Sequence, residues 1–297
     1  MKISVVTPCF NMEKYIRSTL SSVFNQDYDN LEYILVDGGS TDKTVEYAYE
    51  YENKITKIIS EPDEGQYNAI NKGMNMATGD IMCWLNADDI YMPWTFSIIS
   101  QIFRENPDVD WIMGMPSFLN EHGHCTRVSN NPVGYPVEWI KNGWYKSHLG
   151  GYLQQESMFW RKSLWDKVRG LDETYKLGAD FELWTRFSKY SELVAVSVPL
   201  AAFRILPGEQ RSSALRETYE ADVERACSLL KKPNTLWNYI AQKGVVARSL
   251  CRLICYKTSP VISYSQVHGK WVKTKLRNSI SRSSLAGLIL DYKITKS

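Results

Sequence analysis

Along the first half of the chain, short apolar runs alternate with stretches whose apolar residues recur every three or four positions. Ile3 to Thr7 is an apolar run of the length of one buried strand, and Met12, Ile16, Leu20, Val23 and Phe24 then repeat at helical spacing. Leu31 to Val36 predicts a second strand that runs into Asp37-Gly38-Gly39-Ser40-Thr41-Asp42, where Thr41 or Asp42 can cap the next helix. A third strand near Lys57 to Ser60 gives way to Glu61-Pro62-Asp63-Glu64-Gly65; Tyr67, Ile70, Met74 and Ala77 then mark a helix that Gly79 stops. Ile81 to Leu85 predicts a fourth strand, ending in Asn86-Ala87-Asp88-Asp89. Strands and helices in strict alternation predict an α/β fold with a mostly parallel central sheet flanked by helices.

The second half is less regular. The pattern predicts a helix from Pro93 to Arg104, a strand from Asp110 to Met115, and a Gly-, Pro- and Trp-rich stretch from Pro116 to Gly151 expected to be loop with short helices. Tyr152 to Trp160 reads as a strand, Lys162 to Val168 and Ala179 to Lys189 as helices, and Leu193 to Val198 as a strand. From Ala214 onward the expectation is helix. No internal repeat appears.

The polar clusters all follow predicted strands, and open α/β sheets bind ligands at the carboxyl ends of their strands. Asp37, Asp63 and Asp88 therefore converge on one edge. Closely spaced carboxylates there can hold a hard divalent cation against phosphate oxygens, although Asp88-Asp89 taken alone reads better as a turn with a helix cap. No G-x-G-x-x-G follows the first strand and no phosphate-cradling G-x-x-x-x-G-K-[ST] occurs, so a bound nucleotide would be held by carboxylates and metal.

Four segments in order, I-S-V-V-T-P-C-F-N, V-D-G-G-S-T-D-K-T, S-E-P-D-E-G-Q-Y-N-A-I-N-K-G and A-T-G-D-I-M-C-W-L-N-A-D-D-I-Y-M-P, closely resemble the family 2 glycosyltransferases, inverting enzymes of the Rossmann-like GT-A fold. The resemblance spans roughly residues 1 to 213. It implies a catalytic domain over 1–213, with a nucleotide-sugar half at 1–115 and an acceptor half carrying the base at 116–213, followed by a helical, basic region at 214–297. It further implies that Thr7 and Pro8 lie against the base, that Asp37 accepts the base's imide N–H and so favours a UDP-sugar, and that Asp63 closes the nucleoside pocket. In the family's D-x-D motif, Asn86 takes the ribose position and Asp88 binds Mn²⁺ or Mg²⁺, with Ala87 between them; Asn68 and Lys72 join the donor-binding positions. Asn86 and Asn68 stand where many relatives carry Asp.

L-G-A-D-F-E-L-W resembles the family's Glu-Asp motif with Ala179 in place of Glu, which makes Asp180 the catalytic base; by position alone it is equally a helix cap. Q-Q-E-S-M-F-W resembles the strand on the acceptor side, placing Gln155 and Glu156 near the reacting sugar. A-F-R-I-L-P-G-E-Q-R-S-S resembles a loop closing over the diphosphate, with Arg204 or Arg211 as anion ligands and Leu206 where many relatives have a metal-binding His.

Charge adds a second theme. Residues 243–297 carry 11 Lys and Arg against the single Asp291, leaving 24 basic and 32 acidic residues before them. A basic helix over Val245 to Tyr256, with Arg248, Ser249 and Arg252 on one face, and Trp271 among lysines, suits an anionic membrane surface; no motif supports nucleic acid. No secretory signal and no spanning segment are visible, and the six cysteines are scattered, so the expected location is cytoplasmic, peripheral on the inner face of the cell membrane. His122, His124 and Cys125 are too cramped for a zinc site and read as a polar hairpin or loop. Trp139, Trp144, Tyr145 and Tyr152 suit either core packing or stacking on a sugar. The resulting expectation is transfer of a sugar to a glycan, with a polyprenyl-diphosphate-linked oligosaccharide of surface polysaccharide as the acceptor. The rivals are a sugar-nucleotide-forming nucleotidyltransferase, whose Gly-rich basic loop is missing, and a degenerate glycan- or nucleotide-binding relative.

Overall fold

The computed structural model describes residues 1–129, 132, 134–135, 137–141, 143, 153–208, 215–230 and 259–275. The expected Arg211, the basic helix at 245–256, and Trp144, Tyr145 and Tyr152 lie outside them. A nine-stranded sheet forms the centre, with β1 (Ile3–Cys9) between β2 (Leu31–Asp37) and β4 (Ile81–Trp84). Beyond β2 lies β3 (Lys57–Ser60). On the other side come β9 (Met158–Arg161), β6 (Trp111–Met113), β10 (Leu193–Val196), β12 (Pro260–Ser265) and β13 (Lys270–Lys275). Strands β1 to β4 pair in parallel, as does β10 with β6 and β12, whereas β9 is antiparallel to both neighbours.

Helices α1 (Ile16–Phe24), α2 (Thr44–Tyr49), α3 (Gln66–Met76), α4 (Thr95–Glu105), α5 (Val137–Lys141), α6 (Lys162–Val168), α7 (Ala179–Phe187) and α8 (Arg216–Ser228) flank it. Helix α3 packs so tightly on the sheet that a Cβ at Gly73 would lie 2.5 Å from a Val6 methyl. At the heart of the other half, α7 lays Trp184 and Phe187 on an aromatic cluster of Trp84, Trp111 and Trp160, one indole from each of β4, β6 and β9. Their bulk, all fully buried, fixes where α7 sits over the strand ends.

Three expectations change. The stretch after Pro116 contains a hairpin, β7 (Ser117–Leu119) and β8 (Cys125–Val128), which joins β5 (Ile90–Tyr91) and β11 (Ala201–Arg204) in a second sheet of order β5-β11-β7-β8; these strands are too short to leave a period in the sequence. His122 and His124 sit in its turn. The expected strand from Tyr152 begins only at Met158, because Gln155–Ser157 forms a 3₁₀ turn. The helical expectation after Ala214 holds for α8 but fails at β12 and β13, a hairpin that extends the main sheet through β10. Its apolar residues are adjacent pairs, Val261-Ile262 in β12 and Trp271-Val272 in β13, which carry no two-residue period to mark a strand in the sequence. Trp271 is correspondingly no interfacial anchor: it is 6% exposed, its backbone N–H donates to Glu105 Oε2 at 2.6 Å, and its indole N–H to Gln101 Oε1 at 3.3 Å. Among the described residues no helix is long and apolar enough to cross a membrane.

Candidate active site

The registers Cys9↔Asp37 and Asp37↔Ser60 bring the ends of β1, β2 and β3 level at one corner. Asp37 is fully buried there, and both its oxygens serve the protein. Oδ2 accepts the N–H groups of Gly39 and Ser40 at 3.1 and 3.0 Å and the Ser60 hydroxyl at 2.7 Å, while Oδ1 accepts from Ser40 Oγ and from the Cys9 thiol. The carboxylate expected to meet a base also organises the β2 exit loop. Burial, reinforced by the Asp37 charge, pushes the Cys9 thiol well up, so it stays protonated as a donor. A Cβ on Gly38 would lie 2.7 Å from Asp63 Oδ2; the absence of that side chain lets the Asp63 carboxylate rest on the loop, fixed by Gly65 N–H at 2.8 Å. Thr7 and Pro8 are buried within β1, the Thr7 hydroxyl accepting from Tyr33 at 2.7 Å, and Phe10 stands exposed just beyond.

At the end of β4 the chain turns, Asp89 N–H donating to the Asn86 carbonyl at 3.1 Å. Asn86 Oδ1 accepts from Gln66 Nε2 at 2.8 Å, and Ala87 is buried with its carbonyl 2.8 Å from Thr19 Oγ1. Asp89 is spent internally, accepting the Arg204 N–H at 2.8 Å. Asp88, in the same turn, is half-buried. Burial raises its pKa, opposed by its own backbone N–H and the Arg204 charge.

Across from it, the 3₁₀ turn and the start of α7 contribute a dense set of unpartnered polar atoms. Among the described residues, Gln154 Oε1, Gln155 Oε1, Glu156 Oε1, Ser157 Oγ and Asp180 Oδ1 are buried without a hydrogen-bond partner. Such groups are costly to leave unmatched unless something outside the chain pairs with them. Gln155 Nε2 donates to the Trp84 carbonyl at 2.7 Å, which anchors the turn to β4. Burial pushes Glu156 up to about 8, with the charges of Asp88 and Asp180 adding to it; burial likewise lifts Asp180 to about 6. Asp88, Glu156 and Asp180 thus share one electrostatic field. Oxygen donors of this kind suit Mg²⁺ or Mn²⁺. Among the described residues no three His, Cys, Asp or Glu side chains could hold a metal ion together, so a cation at Asp88 would draw its other ligands from diphosphate and water. Leu206 is buried and offers none.

Other expected residues are tied to neighbouring groups of the protein. Asn68 donates to Glu173 Oε2 at 2.9 Å, bridging α3 to the loop before α7, and Lys72 pairs with Glu61 at 3.0 Å. Arg204, expected on the diphosphate, is 2% exposed: Nε donates to the Asp88 carbonyl at 2.6 Å and Nη2 to Ser18 Oγ at 3.2 Å, with the guanidinium 5.2 Å from the Tyr15 ring centre. Two residues escaped the sequence reading: Gln66, which fixes Asn86, and Asp222, on which the loop before α7 is hung. The one trace of Asp222 in sequence is a carboxylate on the face of α8 that also carries Val223 and Ala226, all three buried.

The model of the family described as glycosyl transferase family 2 matches residues 4–166, more than half of the chain. The chain is a family 2 glycosyltransferase. This transferase is similar, at 27% identity over 74% of its length and 69% of the relative's, to an uncharacterised glycosyltransferase of Rickettsia typhi. Its fold is similar to that of S. aureus TarS residues 1–349 in complex with UDP-GlcNAc, with a TM-score of 0.59 at 19% identity, covering 86% of this chain and 71% of that one. It is similar again to the mannosyltransferase PcManGT of Pyrobaculum calidifontis in complex with GDP-Man and Mn²⁺, with a TM-score of 0.57 at 16% identity over 85% and 70%. The GT-A architecture expected from the motifs is the one the transferase has.

Proposed function

We propose that this transferase moves a sugar, with inversion at the anomeric carbon, from a uridine diphosphate sugar to a hydroxyl of a glycan acceptor. The observation that carries the reading is the field shared by Asp88, Glu156 and Asp180, with orphaned oxygens on the Asp180 side ready to receive sugar hydroxyls. The nucleoside would lie on Thr7–Pro8, the bare Gly38 loop and Asp63, with the ribose at Asn86, whose amide can still hydrogen-bond a hydroxyl. Asp180 would take the proton of the acceptor hydroxyl as that oxygen bonds to the anomeric carbon; the bond to diphosphate breaks on the opposite face and its electron pair leaves with the phosphate. Mn²⁺ or Mg²⁺ held by Asp88 would neutralise charge on the departing diphosphate. A fold neighbour in complex with UDP-GlcNAc supports the donor class, and one in complex with Mn²⁺ supports the metal.

The acceptor is proposed to be a polyprenyl-diphosphate-linked oligosaccharide of surface polysaccharide, reached by a peripheral position on the inner membrane face. The excess of 11 Lys and Arg over one Asp in residues 243–297 supports this. Because β12 and β13 belong to the sheet, the test of docking is replacement of Arg248, Arg252 and Lys257 by Gln. Loss of sedimentation with anionic liposomes is expected, and unchanged sedimentation contradicts it. The donor reading is tested by calorimetric titration of UDP, dTDP and GDP with and without Mn²⁺. UDP is expected to bind tightest, and more strongly with Mn²⁺ in the wild type but not in Asp88→Ala; absence of nucleotide binding would sink the reading.

A further inference from the structure

Asp222 lies on α8, 42 residues beyond Asp180, yet its carboxylate is the support on which the start of α7 rests. Its Oδ2 accepts three successive backbone N–H groups, those of Lys176, Leu177 and Gly178, at 2.8, 2.7 and 3.1 Å. Three donors on one anionic oxygen form a charge-assisted clamp, stronger and shorter than neutral hydrogen bonds. The clamped residues run directly into Ala179 and Asp180. Gly178 is the contact point: a Cβ there would lie 2.8 Å from Asp222 Cβ. Arg225, one turn further along α8, donates to the carbonyl and hydroxyl of Thr174 at 3.1 and 2.7 Å and covers the Tyr175 ring with its guanidinium 4.3 Å from the centre. The far end of the same loop is held to α3, Asn71 accepting the Leu171 N–H at 2.9 Å and donating to Glu173 at 2.7 Å.

We infer that Asp222 is a positioning residue for the reaction: by clamping residues 176–178 it sets where the Asp180 carboxylate points, and it places α8 within the catalytic apparatus. The inference rests on Asp180 being the base. Asp180 Oδ1 has no hydrogen-bond partner, while its carboxyl accepts from the backbone N–H groups of Asp180 and Phe181, so its direction follows the backbone entering α7. Small displacements of a catalytic group have large effects on rate.

The test is a double-mutant cycle read as transfer rate at saturating donor, together with UDP affinity. Asp222→Ala is expected to lower kcat at least tenfold with UDP affinity unchanged, and to have no further effect in an Asp180→Asn background, because both act through one group. Asp222→Asn, which keeps an accepting oxygen, should restore most of the rate. Gly178→Ala, which wedges the loop from α8 at a φ of −110° that alanine tolerates, should reproduce the Asp222→Ala loss and serves if that variant does not fold. Losses that multiply in the Asp180→Asn background, a loss of UDP affinity in step with rate, or an undiminished rate in Asp222→Ala and Gly178→Ala would each overturn the inference. An Asp180→Asn enzyme with full activity would instead remove the base assignment beneath it.

Discussion

Trp84 and Trp184 stack with ring centres 5.7 Å apart and planes 6° from parallel. Trp84 closes β4 two residues before Asn86, and Trp184 is four residues, about one helical turn, after Asp180. The stack therefore locks the register of α7 against β4 and brings the expected base and the expected metal ligand to the same strand edge. Trp184→Ala is expected to cost about 3–5 kcal/mol and to abolish transfer, whereas Trp184→Phe should keep most of the stability. Urea denaturation monitored by fluorescence checks both.

Arg204 supports Asp88 from beneath, through the 2.6 Å bond to its carbonyl and the bond from its own N–H to Asp89. Lysine cannot reproduce the guanidinium fork. Arg204→Lys is expected to raise the Mn²⁺ concentration for half-maximal activity by about 10–100-fold, as loss of a residue supporting a ligand does, with nucleotide base preference unchanged. A metal titration of activity measures this.

As the proposed base, Asp180, lifted to about 6 by burial, must be deprotonated to accept a proton. Transfer should therefore fall as pH drops through about 6 and level off above it, and Asp180→Asn should lose about 10²–10⁴-fold. The profile of kcat/KM against pH reads the free enzyme directly.

Glu32 joins β1, β2 and the α3–β4 connection, accepting from Lys2 Nζ, Ser4 Oγ, and both the N–H and hydroxyl of Thr78. Burial opposes ionisation, but these donors together hold it down at about 2. A carboxyl depressed on folding gives stability that is present above its unfolded pKa, about 4.3, and disappears as pH falls toward 2. Glu32→Gln is expected to cost about 1–3 kcal/mol at pH 7 and to flatten the pH dependence of melting between about 4 and 2, as calorimetry across that range would show.

The β-α-β half was legible because its buried parallel strands are continuous apolar runs, each ending in a polar cluster such as Asp37–Asp42 or Asn86–Asp89. The second sheet was not: Ile90–Tyr91 and Ser117–Leu119 are too short to carry a period, and what brings them into one sheet is their shared pairing with Ala201–Arg204, over 80 residues away. The hairpin of β12 and β13 was masked by its lysines, which made Trp271 look interfacial. At the site, the strand pattern pointed to Asp37, Asp63 and Asp88 at one edge, and the family resemblance to Glu156 and Asp180, but orientation was beyond the sequence. Asp37 and Arg204 organise their surroundings through hydrogen bonds that no motif announces, while Asp222 looks like an ordinary surface helix residue and holds the loop before Asp180.

The measurement that bears most directly on the account is release of nucleotide from UDP-, dTDP- and GDP-sugars with Mn²⁺ or Mg²⁺, comparing wild type with Asp88→Ala and Asp180→Asn. Release from a UDP-sugar is expected to require metal and to be lost in both variants while each remains folded. Metal-independent release, or release that survives in both variants, would contradict it.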